Sequence, residues 1–172
     1  MKSIFIGTRI EALKAVASRL KIDLVITKKN SFIDKYIDKS KYKIFYFNKN
    51  NLPHVFDLFK QSKAKLIFSS GFPFIIPKKY LLKNKIFINS HPSLLPKYKG
   101  YRPVIDALKN NESIIGVSVH YIDESLDGGK IICKKKFRLN KICDVKNIYK
   151  QLFTIIEPQA IIKALDKILK YD

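Results

Sequence analysis

Apolar positions along this chain switch repeatedly between two spacings. Residues 2–6 (Lys-Ser-Ile-Phe-Ile) and 22–27 are short apolar runs of strand length. Between them Ile10, Leu13, Val16, Ala17 and Leu20 fall at helical spacing, with Gly7-Thr8-Arg9 as a tight turn. Segment 28–43 is polar and reads as a loop with a helical turn. A short third strand is expected over 44–47. A helix follows over 52–62, with Asn51 as its cap and Pro53 in its first turn. Residues 66–68 form a buried strand, and the apolar 71–77 a rigid loop. A strand over 85–88 leads into a loop with Asn89 and His91. Helix 103–110, strand 116–122, a loop over 123–129 and a lysine-rich edge strand over 130–138 come next. Segment 144–169 is helical, with a break near Glu157-Pro158. This alternation argues for an α/β, Rossmann-like doubly wound, mostly parallel sheet with helices on both faces. Residues 1–172 read as a single domain, without repeat or linker. The first turn is not a dinucleotide fingerprint, because its second and third glycines are missing.

Composition changes this picture in only one respect. The formal net charge is +20, with 34 Lys and Arg against 14 Asp and Glu. A basic nucleic-acid-binding module is therefore one reading. Against it, only Arg9, Arg19, Arg102 and Arg138 are arginines, whereas phosphate and base recognition favours the Arg fork. The surface should attract anionic ligands in either case. No apolar run is long enough for a membrane span. The start is too short and strand-like for a signal peptide, so a cytoplasmic enzyme is expected. Cys133 and Cys143 lie at neither redox nor zinc spacing and read as buried or half-buried thiols.

The chemistry concentrates in two segments. Asn89-Ser90-His91-Pro92-Ser93-Leu94-Leu95-Pro96 follows one strand, and Leu126-Asp127-Gly128-Gly129 follows the next. A strand–helix–strand unit returns both strand ends to the same sheet edge, so their terminal residues can meet. An amide can donate to a developing oxyanion. An imidazole can do the same or shuttle a proton, and a carboxylate can orient that imidazole. Asn89, His91 and Asp127 thus suit acyl transfer. Taken singly, a His-Pro or an Asp-Gly is a turn feature. The value lies in the combination.

Asn89-x-His91-Pro92-Ser93-Leu94-Leu95-Pro96-Lys97-Tyr98-Lys99-Gly100, followed by Gly116-Val117-Ser118-Val119-His120-Tyr121 and Leu126-Asp127-Gly128-Gly129, resembles the folate-dependent formyltransferases. The motif match covers roughly residues 71–132, with a weaker architectural match over the whole chain. The resemblance implies the formyltransferase fold and transfer of a formyl group from 10-formyltetrahydrofolate to a primary amine. It implies that Asn89 and His91 stabilise the oxyanion and that Asp127 pairs with the histidine and helps to move the proton. Neither a covalent enzyme intermediate nor a metal is implied. Phe72, Phe74 and Ile75 match the loop bordering the pterin pocket, although Phe72 and Ile75 also read as ordinary core. Ile122, Asp123 and Leu126 belong to the segment whose backbone would supply its polar contacts. Ser118 and His120 match a Ser-x-His that supports the site. A simple strand-face histidine is an equal reading of His120, and His54 reads as surface or packing.

For the acceptor, Gly7, Thr8 and Arg9 occupy the turn that in glycinamide ribonucleotide formyltransferases holds a phosphate, but they lack that family's loop. Arg102, at a helix start, is the other anion-binding candidate. Gly100-Tyr101-Arg102-Pro103 and Tyr121-Ile122-Asp123-Glu124 look like segments of the sugar N-formyltransferases. The expected acceptor is therefore a small anionic amine, a nucleotide-linked amino sugar first. Glycinamide ribonucleotide of purine biosynthesis is the alternative. The chain has no room for the added RNA-binding domain of methionyl-tRNA formyltransferases, which argues against tRNA. A monomer or homodimer is expected.

Overall fold

The computed structural model of the chain describes residues 1–139 and 144–170. Cys143 lies outside the described residues, and Cys133 is a buried free thiol. Among the described residues seven strands form one sheet in the order β3-β2-β1-β4-β5-β6-β7, mostly parallel and alternating with helices. The α/β expectation therefore holds. Backbone contacts divide the chain into two compact units, Met1–Asn89 and Ser90–Asp172.

In the first unit β1 (Lys2–Gly7) lies parallel to both β2 (Lys21–Thr27) and β4 (Leu66–Ser70). Both neighbours hydrogen-bond to β1, so its apolar run is unbroken, with Ile4, Phe5 and Ile6 fully buried. β3 (Ile44–Tyr46) pairs in parallel with β2. Helix α1 (Ile10–Ala17) buries Ala12, Leu13, Ala15 and Val16, as its spacing predicts. The segment expected as a loop holds a five-residue helix, α2 (Phe32–Tyr36), capped by Ser31. Helix α3 (Leu52–Gln61) runs on from a 3-10 turn over Lys49–Asn51. Asn51 does not cap it. The side chain of Asn48 accepts from the backbone N–H groups of Asn50 and Asn51, so the helical path begins three residues early.

β5 (Ile86–His91) is longer than the sequence suggests. The strand runs through Asn89 and ends on His91, so the Asn-x-His segment is strand rather than loop. In the second unit β6 (Ile114–Tyr121) pairs antiparallel with β7 (Ile131–Arg138), the sheet edge, where Lys134, Lys136 and Arg138 are exposed. Helix α4 (Pro103–Lys109) lies between β5 and β6 in the chain. Helices α5 (Val145–Gln151) and α6 (Glu157–Leu169) are joined by a π-helical stretch, Leu152–Ile156. The break expected near Glu157-Pro158 is thus a widened turn in a continuous helical path. Pro158 lacks an N–H and crowds the preceding turn, and a wider turn absorbs both defects. Among the described residues no helix is long and apolar enough to cross a membrane.

Candidate active site

The site starts from strand geometry. Alternation along β5 points the Asn89 and His91 side chains to one side of the strand and Ser90 to the other. His91 is buried, and each of its ring nitrogens has a protein acceptor. Nε2 lies 2.8 Å from the Tyr98 carbonyl oxygen, and Nδ1 lies 3.3 Å from Asp127 Oδ2. A proton on Nε2 would be donated to the Tyr98 carbonyl, and one on Nδ1 would face the Asp127 carboxylate.

The segment after β5 is pinned where it must turn. Ser118, fully buried on β6, donates its hydroxyl to the Ser93 carbonyl at 2.7 Å and accepts from the Leu95 N–H at 3.0 Å. Tyr98 takes the left-handed conformation, φ 56°, which aims its carbonyl at His91. Its phenol donates to Glu112 Oε1 at 2.9 Å, and Lys97 Nζ donates to the same oxygen at 2.8 Å. Those two donors hold the Glu112 carboxyl below its ordinary range.

Asp127 sits at φ 46° with its side chain 12% exposed. Oδ2 accepts the Gly100 N–H at 2.9 Å and faces His91, and Oδ1 lies 3.5 Å from His120 Nε2. The other nitrogen of His120 is 2.8 Å from the Tyr121 carbonyl oxygen. The carboxylate is thus flanked by two buried imidazoles. Burial raises the Asp127 pKa, but the His120 imidazole, the charge on His91 and the Gly100 N–H outweigh it. The result lies below the usual aspartate value. Gly129 is needed for this turn, because a Cβ there would sit 1.9 Å from the Tyr121 carbonyl oxygen.

The formyl transferase family model matches residues 8–165. The chain belongs to the formyl transferase family. Among related sequences, the methionyl-tRNA formyltransferase of Borreliella afzelii is 36% identical over 106 residues, which is 61% of this chain and 33% of that protein. The methionyl-tRNA formyltransferase of Thermodesulfovibrio yellowstonii is 38% identical over 97 residues, 56% of this chain and 31% of that protein. The chain therefore matches about a third of the length of these relatives. Among solved structures, phosphoribosylglycinamide formyltransferase from Bacillus halodurans covers all of this formyl transferase chain. It superposes with TM-score 0.86 at 16% identity, over 97% of its own length. The enzyme of the same name from Anaplasma phagocytophilum gives TM-score 0.86 at 24% identity, over 99% of this chain and 86% of its own. At these identities the structural likeness shows the shared fold alone.

Each unit, taken by itself, carries apolar side chains on its turns. In the first unit Phe72 and Phe74 are half-buried against Phe47, with ring centroids 5.0 and 6.1 Å away, and Phe72 also meets Phe56. Phe72 is therefore part of an aromatic cluster, as its core reading anticipates. Ile75 is not core, because it is 70% exposed, whereas its neighbour Ile76 is buried. In the second unit Leu126 is 55% exposed and Ile122 half-buried, while Asp123 Oδ1 accepts from the N–H and hydroxyl of Ser125. Large apolar side chains left in water on turns suit a flat heteroaromatic ligand. In each unit the residues present fit contact with such a ring.

The expected acceptor residues are less telling. Gly7, φ 149°, has no room for a side chain, because a Cβ would lie 1.8 Å from the Ser70 carbonyl oxygen. Thr8 donates its backbone N–H to that oxygen and its hydroxyl to the Gly71 carbonyl, both at 3.1 Å. Arg9 precedes α1 and lies against Gly71, where an added Cβ would come 3.2 Å from its Cγ and Nε. These three join the ends of β1 and β4. Arg102 is exposed, left-handed at φ 60°, and begins a helix of only seven residues. Among the described residues no group of three or more His, Cys, Asp or Glu is arranged to hold a metal ion. Sequence pattern missed the two backbone groups that complete the site, the Tyr98 carbonyl and the Gly100 N–H. The Lys-Gly pair inside the motif was the only trace of them.

Proposed function

We propose that this chain transfers a formyl group from 10-formyltetrahydrofolate to a primary amine on an anionic acceptor. The observation that carries this reading is the Asp127 carboxylate held between His91 and His120, 3.3 and 3.5 Å away, at the end of the strand that bears Asn89. When bound, the folate supplies the formyl group. The Asn89 side-chain N–H donates to the acyl oxygen as negative charge develops there. One such donor is worth roughly two to three powers of ten in rate. His91, with Nε2 at the Tyr98 carbonyl and Nδ1 facing Asp127, stands on the same side of β5 and adds positive charge there when protonated. Asp127 would keep that charge in place and carry the proton from the attacking amine to the folate nitrogen, whose bond to the formyl carbon breaks as the new one is completed.

For the acceptor, the +20 surface supports an anion. The amino-sugar reading rests on the Gly100–Pro103 and Tyr121–Glu124 segments. The relatives described above give it no support, since their names concern methionyl-tRNA and phosphoribosylglycinamide. Glycinamide ribonucleotide is the second reading, favoured by Leu126-Asp127-Gly128-Gly129. The test is tetrahydrofolate release with glycinamide ribonucleotide, nucleotide-linked 3-amino and 4-amino sugars, methionyl-tRNA, and no acceptor. Turnover with one amine alone identifies the acceptor. Turnover without any amine makes the chain a hydrolase, and silence with all of them sinks the proposed acceptors.

A further inference from the structure

Glu157 has no exposed surface. It opens α6, yet the helical path does not begin there, because Ile156 before it is itself helical at φ −71° and ψ −46°. A favourable helix-end position therefore does not explain this carboxylate. Ile156, Ala160 and Ile161, near it along the helical path, are buried as well, and a carboxylate buried to this extent is costly unless it is hydrogen-bonded. What Glu157 does have is a short hydrogen bond. The Ser90 hydroxyl donates to its Oε1 at 2.6 Å.

Ser90 is itself buried, and it stands between Asn89 and His91 on β5. Alternation puts its side chain on the opposite side of the strand from both. Glu157 thus grips from behind the strand end that presents the proposed catalytic pair. Two polar groups buried and hydrogen-bonded to each other hold one arrangement of the segments that carry them. The π-helical stretch immediately before Glu157 is consistent with this, because such wide turns re-aim the residue that follows and recur at functional sites.

We infer that Glu157 is a positioning residue for Asn89 and His91, acting through the Ser90 hydroxyl to fix the end of β5. The inference rests on the function proposed above, and its test has one arm that does not. That arm reads the ¹⁵N and ¹H imidazole resonances of His91 in the ligand-free chain of residues 1–172. Glu157→Leu and Ser90→Ala should move those resonances alike, the double variant should match either single one, and Glu157→Gln should leave them as in the unsubstituted chain.

The second arm is turnover. Glu157→Leu and Ser90→Ala should each lower kcat roughly tenfold to a hundredfold, the scale of a small misplacement of reacting groups, with KM nearly unchanged. Glu157→Gln, which keeps an acceptor for Ser90, should restore kcat. If Glu157→Leu fails to fold, the Ser90→Ala and Glu157→Gln pair carries the test. Unmoved His91 resonances in Ser90→Ala, losses that add in the double variant, or a Glu157→Gln chain as impaired as Ser90→Ala would overturn the inference. Absence of turnover with every acceptor in the unsubstituted chain would sink the acceptors proposed above, and the resonance arm would still decide the role of Glu157.

Discussion

At the scale of single residues, two aspartates show how far type and context diverge. Asp34 accepts the Tyr46 phenol at 2.7 Å, the Asn30 N–H at 2.7 Å and Lys39 Nζ at 3.0 Å. These donors, Tyr46 first, lower its pKa to about 2. A depressed carboxylate stabilises the fold above its unfolded pKa, about 3.9, and loses that contribution as pH falls through the folded value. Urea midpoints should therefore drop between about pH 4 and pH 2, and Asp34→Asn should flatten that drop. An equally steep acid limb in the variant would contradict the assignment. None of this was visible in the sequence, where 28–43 read as a polar loop. Asn89, His91 and Asp127 were legible because they combine in one motif. The Tyr98 carbonyl was not, because its direction depends on a left-handed backbone at a residue other than glycine.

At the scale of elements, periodicity located the strands and helices and missed the details set by side chains bonding to backbone. The start of α3 moved because Asn48 caps an extra turn, and β5 ran on through His91. The period of β6 put Ser118 and His120 on one face, which the structure uses in two ways. His120 meets Asp127, and Ser118 bonds Ser93 and Leu95. Replacing Ser118 by Ala leaves the buried Leu95 N–H without that acceptor. The expected loss is about 1–3 kcal/mol by urea unfolding. Stability equal to that of the unsubstituted chain would mean that this bond does not hold the loop. Turnover should fall as well, since the same loop carries the carbonyl that faces His91.

At the scale of the whole molecule, strand–helix alternation was enough to read the α/β class, and the lysines of β7 marked the sheet edge. The π-helical stretch left no sequence signature beyond Pro158. The +20 charge is a property of the surface as a whole, and its action should be long-range and screened. Raising salt from about 0.05 to about 0.5 M should raise KM for an anionic acceptor and leave kcat largely unchanged. A basic nucleic-acid module would instead bind any polyanion with a steep salt dependence and be indifferent to Asn89→Ala. The most direct test of formyl transfer at Asn89, His91 and Asp127 is amine-dependent release of tetrahydrofolate from 10-formyltetrahydrofolate, compared between the unsubstituted chain and Asp127→Asn. The expected result is turnover in the former and a loss of roughly 10²–10⁴-fold in the latter, with melting behaviour retained. An Asp127→Asn chain as active as its parent would contradict the account.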